Sequence, residues 1–160
     1  MASIKKQGVQ LRHAAKEDDV ARAREILNSS SDKAAVLRST GGEQWTALHW
    51  AARTNSVGVA QLLVQNGADV NARTWFQRTA LHEAACNNSV GVAQLLVQNG
   101  ADVNARNKHQ WTALHEASQY DSVGVAQLLV QNGADFNAQD KFQRTALHKA
   151  AQEDSVGVAQ

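Results

Sequence analysis

The sequence contains no proline, a single cysteine and few aromatic residues, which make up 5% of its 160 positions. Without proline, its turns must be formed by Gly, Asn, Asp, Ser or Thr, which satisfy turn geometry in other ways. Because Cys86 is alone, no intrachain disulfide forms, and a reducing compartment suits the chain. No apolar stretch follows the lysines at the start, so no secretory signal is predicted and a cytoplasmic location is expected.

Neither sign of charge predominates. Lys and Arg total 16, against 15 Asp and Glu, which gives a net charge of +1. A nucleic-acid binder needs an excess of Lys and Arg to displace counterions from phosphates, so nucleic acid is not expected as a partner. No segment approaches the roughly 20 consecutive apolar residues that a membrane helix needs, so no membrane interaction is expected.

The sequence does contain a repeat with a period of 33 residues. The motif TALH begins at Thr46, Thr79, Thr112 and Thr145, and the block SVGVAQLLVQNGAD occurs unchanged at 56–69, 89–102 and 122–135. Leu11–Ala15 aligns with Leu48–Ala52, so a divergent copy precedes the regular ones. The predicted single domain, 1–160, consists of a divergent N-terminal repeat at 8–41, full repeats at 42–74, 75–107 and 108–140, and an incomplete repeat at 141–160.

Each regular unit predicts two short helices and an extended segment. Thr46 is a good N-cap for the first helix, and Asn55 tolerates the left-handed conformation that ends it. Ser56 is expected to cap the second helix and Gly67 to close it. Helices this short are marginal alone, so stacking must stabilise them. The leucines expected to form one continuous core are Leu48, Leu62, Leu63, Leu81, Leu95 and Leu96. The residues equivalent to Asn55 are Asn88, Asp121 and Asp154.

The period, the TALH motif and the NGADVNA ending resemble the ankyrin-repeat family over nearly the whole chain. The resemblance implies an all-α solenoid whose paired helices form the back and whose β-turn fingers project sideways. It also implies that a partner protein binds to the fingertips and to the concave face of the first helices. The turn glycine of the family is replaced by Gln44, Gln77, Gln110 and Gln143, so we expect the finger turns to deviate from the family norm.

Two segments depart from the regular repeat. The connection from Asn28 to Gly42 lacks NGADVNA and is longer, and we expect Val36 and Leu37 to fasten it to the core. The sequence given ends at Gln160, inside the second helix of the last repeat. We expect a frayed end there, or an apolar patch covered by a neighbouring molecule, in a chain that is mainly monomeric.

The differences between units fall at fixed offsets, which correspond to the fingertips and the groove-facing side of the first helix. Seven of the aromatic residues occupy these offsets, and only Phe136 belongs to the framework. Because aligned positions hold Arg78, Glu83 or Glu153, which could not be buried cheaply, we expect a row of exposed aromatics with a mixed-charge rim. The predicted partner-binding residues are Trp45, Trp50, Arg53, Trp75, Phe76, Arg78, Glu83, Cys86, Lys108, His109, Trp111, Glu116, Gln119, Tyr120, Lys141, Phe142, Arg144 and Lys149.

Two residue sets invite a chemical interpretation. His49, His82, His115 and His148 recur once per repeat, but repeats about 10 Å apart are too distant to share a zinc ion. Each ring can instead bond back to the Thr cap and bridge adjacent repeats, as Glu does in a capping box. Cys86 and His82 lie within reach on one helix, without a recognisable third catalytic group. We therefore expect no metal, no cofactor and no catalysis.

Asn71, Asn104 and Asn137 resemble ankyrin asparagines that a cytosolic asparagine hydroxylase modifies. The other interpretation is that each side chain braces the finger turn by hydrogen bonds to the backbone.

The sequence thus predicts a protein-binding module. An unvarying framework with variable surface positions also resembles an engineered, library-derived ankyrin binder, although very recent natural duplication gives the same pattern. Two alternative functions remain: a structural or self-associating scaffold, and a fragment of a natural signalling or effector ankyrin protein.

Overall fold

The computed structural model describes residues 3–153 and 156–159, and within these ranges every regular element is a helix. The first helices of successive repeats are α1 (Ile4–Glu17), α4 (Ala47–Thr54), α6 (Ala80–Cys86), α8 (Ala113–Gln119) and α10 (Ala146–Gln152). The second helices are α2 (Val20–Ser29), α5 (Val57–Gln65), α7 (Val90–Gln98), α9 (Val123–Gln131) and α11 (Val156–Ala159). Each helix contacts its equivalent in the next repeat, so two layers of helices stack and the expected all-α solenoid is confirmed.

One core runs along the stack. Leu48, Leu81 and Leu114 occupy the same position in consecutive first helices and are 2%, 1% and 3% exposed. Leu63 and Leu96 contribute from the second helices and are also buried, as the leucine pattern predicts. Each buried leucine contributes about 2 kcal/mol relative to an exposed one, which compensates for the poor intrinsic stability of such short helices. Among the described helices, none combines the length and apolarity needed to cross a bilayer.

A Thr–His pair caps each regular first helix. The amide of Thr46 donates to Nδ1 of His49 over 3.2 Å, and the Thr46 hydroxyl lies 2.8 Å from the same nitrogen. His49 Nε2 lies 3.2 Å from the carbonyl oxygen of Arg78 in the next repeat, and His82 and His115 make the equivalent contact at 3.0 Å. Because Nδ1 accepts from an amide, the ring proton resides on Nε2, which donates across the repeat boundary. The predicted cap and bridge are confirmed.

Burial keeps these rings neutral. It lowers the pKa of His49 and of His82 to about 4, from an ordinary value of 6.5. Burial also lowers the pKa of His115. The unfolded chain takes up protons at His49 and His82 near pH 6.5, whereas the folded chain does so only near pH 4. The unfolded state therefore binds more protons in this window, and acidification favours unfolding.

We expect the free energy of unfolding to fall as the pH is lowered from 6.5 to 4, by up to about 1.4 kcal/mol per pH unit for each such histidine. His82→Gln removes one contribution, so its slope should be shallower. Urea unfolding at a series of pH values measures the slope. His109→Gln, at an exposed position, is the control and should keep the wild-type slope. Equal slopes in His82→Gln and wild type would contradict this account.

The second helices are capped by the preceding repeat. Ser56 occupies the predicted N-cap position, but its hydroxyl makes no bond to the helix amides. The amide of Val59 instead donates to Oδ1 of Asp18 over 2.8 Å, and Asn55 and Asn88 accept the equivalent amides of the next two repeats at 3.2 Å. The capping residues adopt the predicted left-handed conformation, with φ between 49° and 55°. The equivalent Asp154 lies outside the described residues.

Adjacent second helices approach each other at a glycine. A Cβ on Gly91 would lie 2.6 Å from Cγ2 of Val57 in the preceding repeat, and Gly124 has the same relation to Val90. Gly91 and Gly124 are the second residues of α7 and α9, and glycine is a poorer helix former than alanine, by up to about 1 kcal/mol. Glycine is therefore present because adjacent second helices are too close for a Cβ atom, although glycine does not favour helix formation.

Gly91→Ala should lower the free energy of unfolding by about 1–3 kcal/mol, because the methyl group overlaps Val57. Without this contact the same change should stabilise the helix by up to about 1 kcal/mol. Adding Val57→Ala removes the overlap and should recover most of the loss in chemical denaturation. At Gly42, no atom lies within 4 Å of the added Cβ, so Gly42→Ala is the matched control. A Gly91→Ala chain as stable as wild type would refute the close approach.

The connection between the first two repeats contains a helix that the sequence analysis missed, α3 (Lys33–Arg38). Asp32 caps α3 by accepting the amide of Ala35 over 2.9 Å. Val36 and Leu37 lie on its inner side and are 1% and 7% exposed. The expectation that these two residues fasten the connection to the core is confirmed.

The finger turns keep a left-handed residue where glycine is replaced. Gln44 and Gln110 have φ of 62°, and Gln77 and Gln143 have φ of 60°. All four glutamines thus adopt a conformation that glycine reaches without strain. A left-handed non-glycine residue costs roughly 1–2 kcal/mol, so other contacts must hold each turn in place.

Candidate functional site

The fingertips are residues 41–45, 74–78, 107–111 and 140–144, and backbone hydrogen bonds join each to the next. The amide of Trp75 donates to the carbonyl oxygen of Glu43 over 3.0 Å, and the amide of Lys108 donates to that of Phe76 over 2.9 Å. The third junction is equivalent, at 3.3 Å. The fingertips thus form one connected row.

A buried polar side chain braces each of the last three fingertips. Thr74, Asn107 and Asp140 are 0%, 3% and 5% exposed. Asn107 Oδ1 accepts the amides of His109 and Trp111 over 2.8 and 3.1 Å, which fixes the turn from below. With the first residue of the fingertip held inside, the next two residues are left at the surface.

Four of the seven predicted aromatics are exposed as expected. Trp75 is 58% exposed, Phe76 44%, Tyr120 59% and Phe142 75%. The first two and Phe142 lie on fingertips, whereas Tyr120 is at the C-terminal end of α8. The Lys108 ammonium lies 5.5 Å from the Phe76 ring centre, and so caps part of that ring.

The other three aromatics are half-buried, so the expected row of exposed rings is wrong for them. Trp45 and Trp50 pack against each other with ring centres 4.7 Å apart. Lys16 lies 3.9 Å above Trp50, and the Arg53 guanidinium lies 5.7 Å from both rings. These contacts cover part of both rings, so the two tryptophans are only partly accessible.

Trp111 is held between the last two repeats. Its indole Nε1 donates to Asp140 over 3.2 Å, and Lys149 Nζ lies 4.1 Å from the ring centre. Lys149, a predicted partner contact, is only 5% exposed and donates to Gln119 over 3.1 Å. Trp111 and Lys149 therefore contribute to the fold as well as to the surface.

An ion network lies under the middle of the first-helix face. Arg78 Nε donates to Glu83 over 2.5 Å, Arg78 Nη1 donates to Glu116, and Arg78 Nη2 lies 2.9 Å from Cys86 Sγ. Glu83 and Glu116 are 4% and 2% exposed, so the expectation that acidic side chains at these offsets are exposed is wrong. Their burial is possible because one guanidinium supplies donors to both carboxylates.

Burial and the neighbouring charges of the network shift the pKa values of its members. Burial alone would lower the pKa of Arg78, but Glu116 and Glu83 outweigh it and raise that pKa. Burial raises the pKa of Glu116, although Arg78 opposes the shift. Burial, reinforced by Glu116, raises the pKa of Cys86 to about 12, so the thiol is protonated at neutral pH and is a poor nucleophile.

Arg78→Ala should lower the free energy of unfolding by about 3–5 kcal/mol, because two buried carboxylates lose their shared partner. Replacing Arg78, Glu83 and Glu116 together by leucine should restore most of this loss, since no buried charge then remains. Chemical denaturation measures both. Arg22→Ala, at an exposed position in α2, is the control and should change little. An Arg78→Ala chain within about 1 kcal/mol of wild type would show that the network is not buried.

A second ion pair lies beneath the last fingertip. Arg144 Nη2 lies 2.8 Å from Asp140 Oδ2, and the Arg144 guanidinium is 4.8 Å from the Phe142 ring centre. Burial by itself would raise the pKa of Asp140, but hydrogen bonds from Arg144 and from the amide of Phe142 lower it far below its usual range. Asp140 is therefore ionised and neutralised internally.

The predicted partner-binding residues thus fall into three groups. The exposed ones are Arg53, Trp75, Phe76, Lys108, His109, Tyr120, Lys141 and Phe142. The half-buried ones are Trp45, Trp50, Arg78, Cys86, Trp111, Gln119 and Arg144. The buried ones are Glu83, Glu116 and Lys149.

Asn71 and Asn104 bridge consecutive repeats. Asn71 Nδ2 donates to the carbonyl oxygen of Gly100 over 3.1 Å, and its Oδ1 accepts the amide of Asp102 over 2.8 Å. Asn104 makes the same two bonds to the following repeat. The side chains therefore do bond to the backbone, but of the next repeat rather than of their own finger turn. Hydroxylation of Asn71, Asn104 and Asn137 remains a prediction.

Framework arginines that the sequence analysis did not single out hold the fingers together. Arg73 Nη1 donates to the carbonyl oxygen of Arg106 in the next repeat over 3.0 Å, and Arg106 donates likewise to that of Gln139 over 2.7 Å. Arg73 also reaches the carbonyl oxygen of Gln77 at 3.4 Å, beside the left-handed residue. The two arginines recur in the NAR segments 71–73 and 104–106, and this recurrence is the sequence feature that could have identified them as part of the framework.

Another exposed apolar area lies at the last repeat. Leu147 is 61% exposed, whereas its equivalents in the earlier repeats are buried, and Phe136 and Val130 are 62% and 50% exposed. These side chains border an open cleft of about 520 Å³. The predicted contact at Gln160 itself lies outside the described residues.

Comparison with family models matches the chain to one described as "Ankyrin repeats (3 copies)", at residues 11–107, 74–140 and 105–160. These segments together span nearly the whole sequence. Comparison with curated proteins gives no match. Ankyrin repeats generally mediate protein–protein interaction.

Proposed function

The chain belongs to the ankyrin-repeat family, and we propose that it binds a partner protein through its exposed fingertip residues. The proposed binding face consists of Trp75, Phe76, Lys108, His109, Tyr120, Lys141 and Phe142. The observation that carries the proposal is the exposure of Trp75 and Phe142 on turns whose first residue is buried and hydrogen-bonded.

The rigidity of the fingertips supports this proposal. Large aromatic side chains supply most of the binding energy in protein interfaces when they are presented in a fixed geometry. The amide of Arg144 donates to Asp140 Oδ1 over 3.0 Å, and so does that of Phe142 over 2.8 Å, so the last turn is fixed before a partner arrives. Little conformational entropy then remains to be lost at the backbone on binding.

The half-buried and buried members of the predicted set have a different proposed role. Trp45, Trp50 and Trp111 border the face, and the half-buried Arg144, together with the exposed Arg53, contributes to its rim. Glu83 and Glu116 support the face from below by holding Arg78 in place. A partner of ordinary size would bury about 1,600 Å² of total surface against these residues.

Alanine at Trp75 or at Phe142 should weaken partner binding by about 2 kcal/mol or more while leaving the stability nearly unchanged, because both rings are exposed. The measurement is the amount of each partner retained from a cell lysate, together with chemical denaturation of each variant. Phe136→Ala is the matched control, since this equally exposed ring lies off the fingertips. Retention lost with Phe136→Ala, but kept in both fingertip variants, would refute the proposal.

Self-association is a second candidate function, favoured by the exposure of Leu147 and Phe136. If copies of the chain assemble through this face, light scattering should show a mass above that of the monomer. Leu147→Lys should then restore the monomer. A monomer at all concentrations would exclude the scaffold interpretation.

We also propose that the framework was copied, either by deliberate engineering or by very recent duplication. The support is the complete identity of the three SVGVAQLLVQNGAD blocks beside variable fingertips. The coding DNA distinguishes the two origins. A genomic parent with further repeats of this type would exclude engineering and favour a natural signalling or effector protein.

A further inference from the structure

We infer that the segment recognised by the binding face is acidic, with carboxylates set beside apolar side chains. This inference rests on the proposed function and adds the chemistry of the partner to it. The observation behind it is that some charged groups at the fingertips are paired inside the protein, whereas others remain at the surface.

The acidic side chains at and beneath the last three fingertips are buried and hydrogen-bonded inside the protein. Glu83 and Glu116 share the guanidinium of Arg78, and Asp140 bonds to Arg144 and to the indole of Trp111. All three carboxylates are at most 5% exposed. A partner therefore cannot pair directly with any of them.

Two lysines of the same fingertips lie at the surface, whereas Arg78 and Arg144 are held in the internal ion pairs. Lys108 and Lys141 are exposed, and neither makes a salt bridge within residues 3–153 and 156–159. Within the central stretch, which is the three fingertips 74–78, 107–111 and 140–144, the one acidic residue is the buried Asp140. The exposed acids of the chain lie outside it, among them Glu43 in the first fingertip, Asp121 after α8 and Glu153 at the end of α10.

Each of the two lysines has an aromatic neighbour, in space or in the chain. Lys108 Nζ lies 5.5 Å from the ring centre of Phe76, and Lys141 directly precedes Phe142, whose ring contacts the guanidinium of Arg144. A carboxylate that meets either lysine would therefore bring its neighbouring side chains against an aromatic ring, where apolar groups are favoured. Charge complementarity of this kind sets specificity and association rate more than total affinity.

A protein segment fits this face better than a nucleic acid. Proteins that track a phosphate backbone commonly neutralise 6–10 phosphates, and the affinity depends on that number. The central stretch offers two unpaired lysines, and the chain as a whole has a net charge of only +1. Two cations spaced between aromatic rings suit a few carboxylates among apolar residues.

The test is a selection of random peptides displayed on phage, with the full chain as bait. The wild-type chain should retain peptides enriched in Asp and Glu over Lys and Arg. In the double variant Lys108→Glu with Lys141→Glu, this enrichment should reverse. Arg22→Glu with Arg24→Glu makes the same charge change at exposed positions of α2 and is the matched control, which should keep the wild-type preference.

Synthetic versions of the selected acidic peptides then give affinities by fluorescence anisotropy. The lysine double variant should bind them about tenfold more weakly than wild type, and added salt should weaken wild-type binding. A labelled single-stranded DNA is measured alongside. Tighter binding of the DNA than of the best acidic peptide would overturn the inference in favour of a nucleic-acid partner.

The remaining outcomes separate the inference from the proposed function. Selected peptides without acidic enrichment, insensitive to the lysine reversal but lost with Trp75→Ala and Phe142→Ala, would overturn the acidic preference and leave the binding face intact. Selected peptides that bind equally well to all the fingertip variants would overturn both.

Discussion

A neutral imidazole at each boundary between regular repeats is the interaction on which the rest of the structure depends. His49, His82 and His115 each accept from the amide that starts their own helix and donate to the carbonyl at the base of the next finger. One side chain thereby fixes where a helix starts and where the following finger is attached. Because the ring must stay neutral to do both, its burial is part of the arrangement rather than a by-product of packing.

The residues of each repeat therefore fall into two groups, those that bond to the next repeat and those that lie at the surface. Recurring polar residues bond across the boundary: His82 to the next finger, Asn55 to the next second helix and Asn71 to the next loop. Backbone bonds and buried polar side chains hold the fingertips, so most of their outer side chains can vary without disturbing the stack. Variation is concentrated where the framework does not need a particular side chain.

The periodic features could be predicted from the sequence because every repeat reports the same contact. The leucine core, the Thr–His cap and the left-handed residues all recur at a fixed interval. Features that join different repeats through non-periodic residues could not. The burial of Glu116 depends on its bond to Arg78, which lies 38 positions earlier in the chain. Spacing rules for a single helix or turn do not predict a contact at that separation. The side chains that cap the second helices also come from the preceding repeat. Ser56, at the N-cap position itself, predicts a local cap that its side chain does not make. The helix α3 lies in a connection without a counterpart in the regular repeats, so no periodic pattern predicts it. Asp32, its N-cap, is the one local signal.

The most direct test of the central claim is hydrogen–deuterium exchange of the full chain with and without a bound partner protein. If the fingertips form the binding face, amides in 74–78, 107–111 and 140–144 should become protected in the complex, while those of the second helices α5, α7 and α9 stay unchanged. Protection confined to the second helices, or to the face around Leu147, would contradict the account.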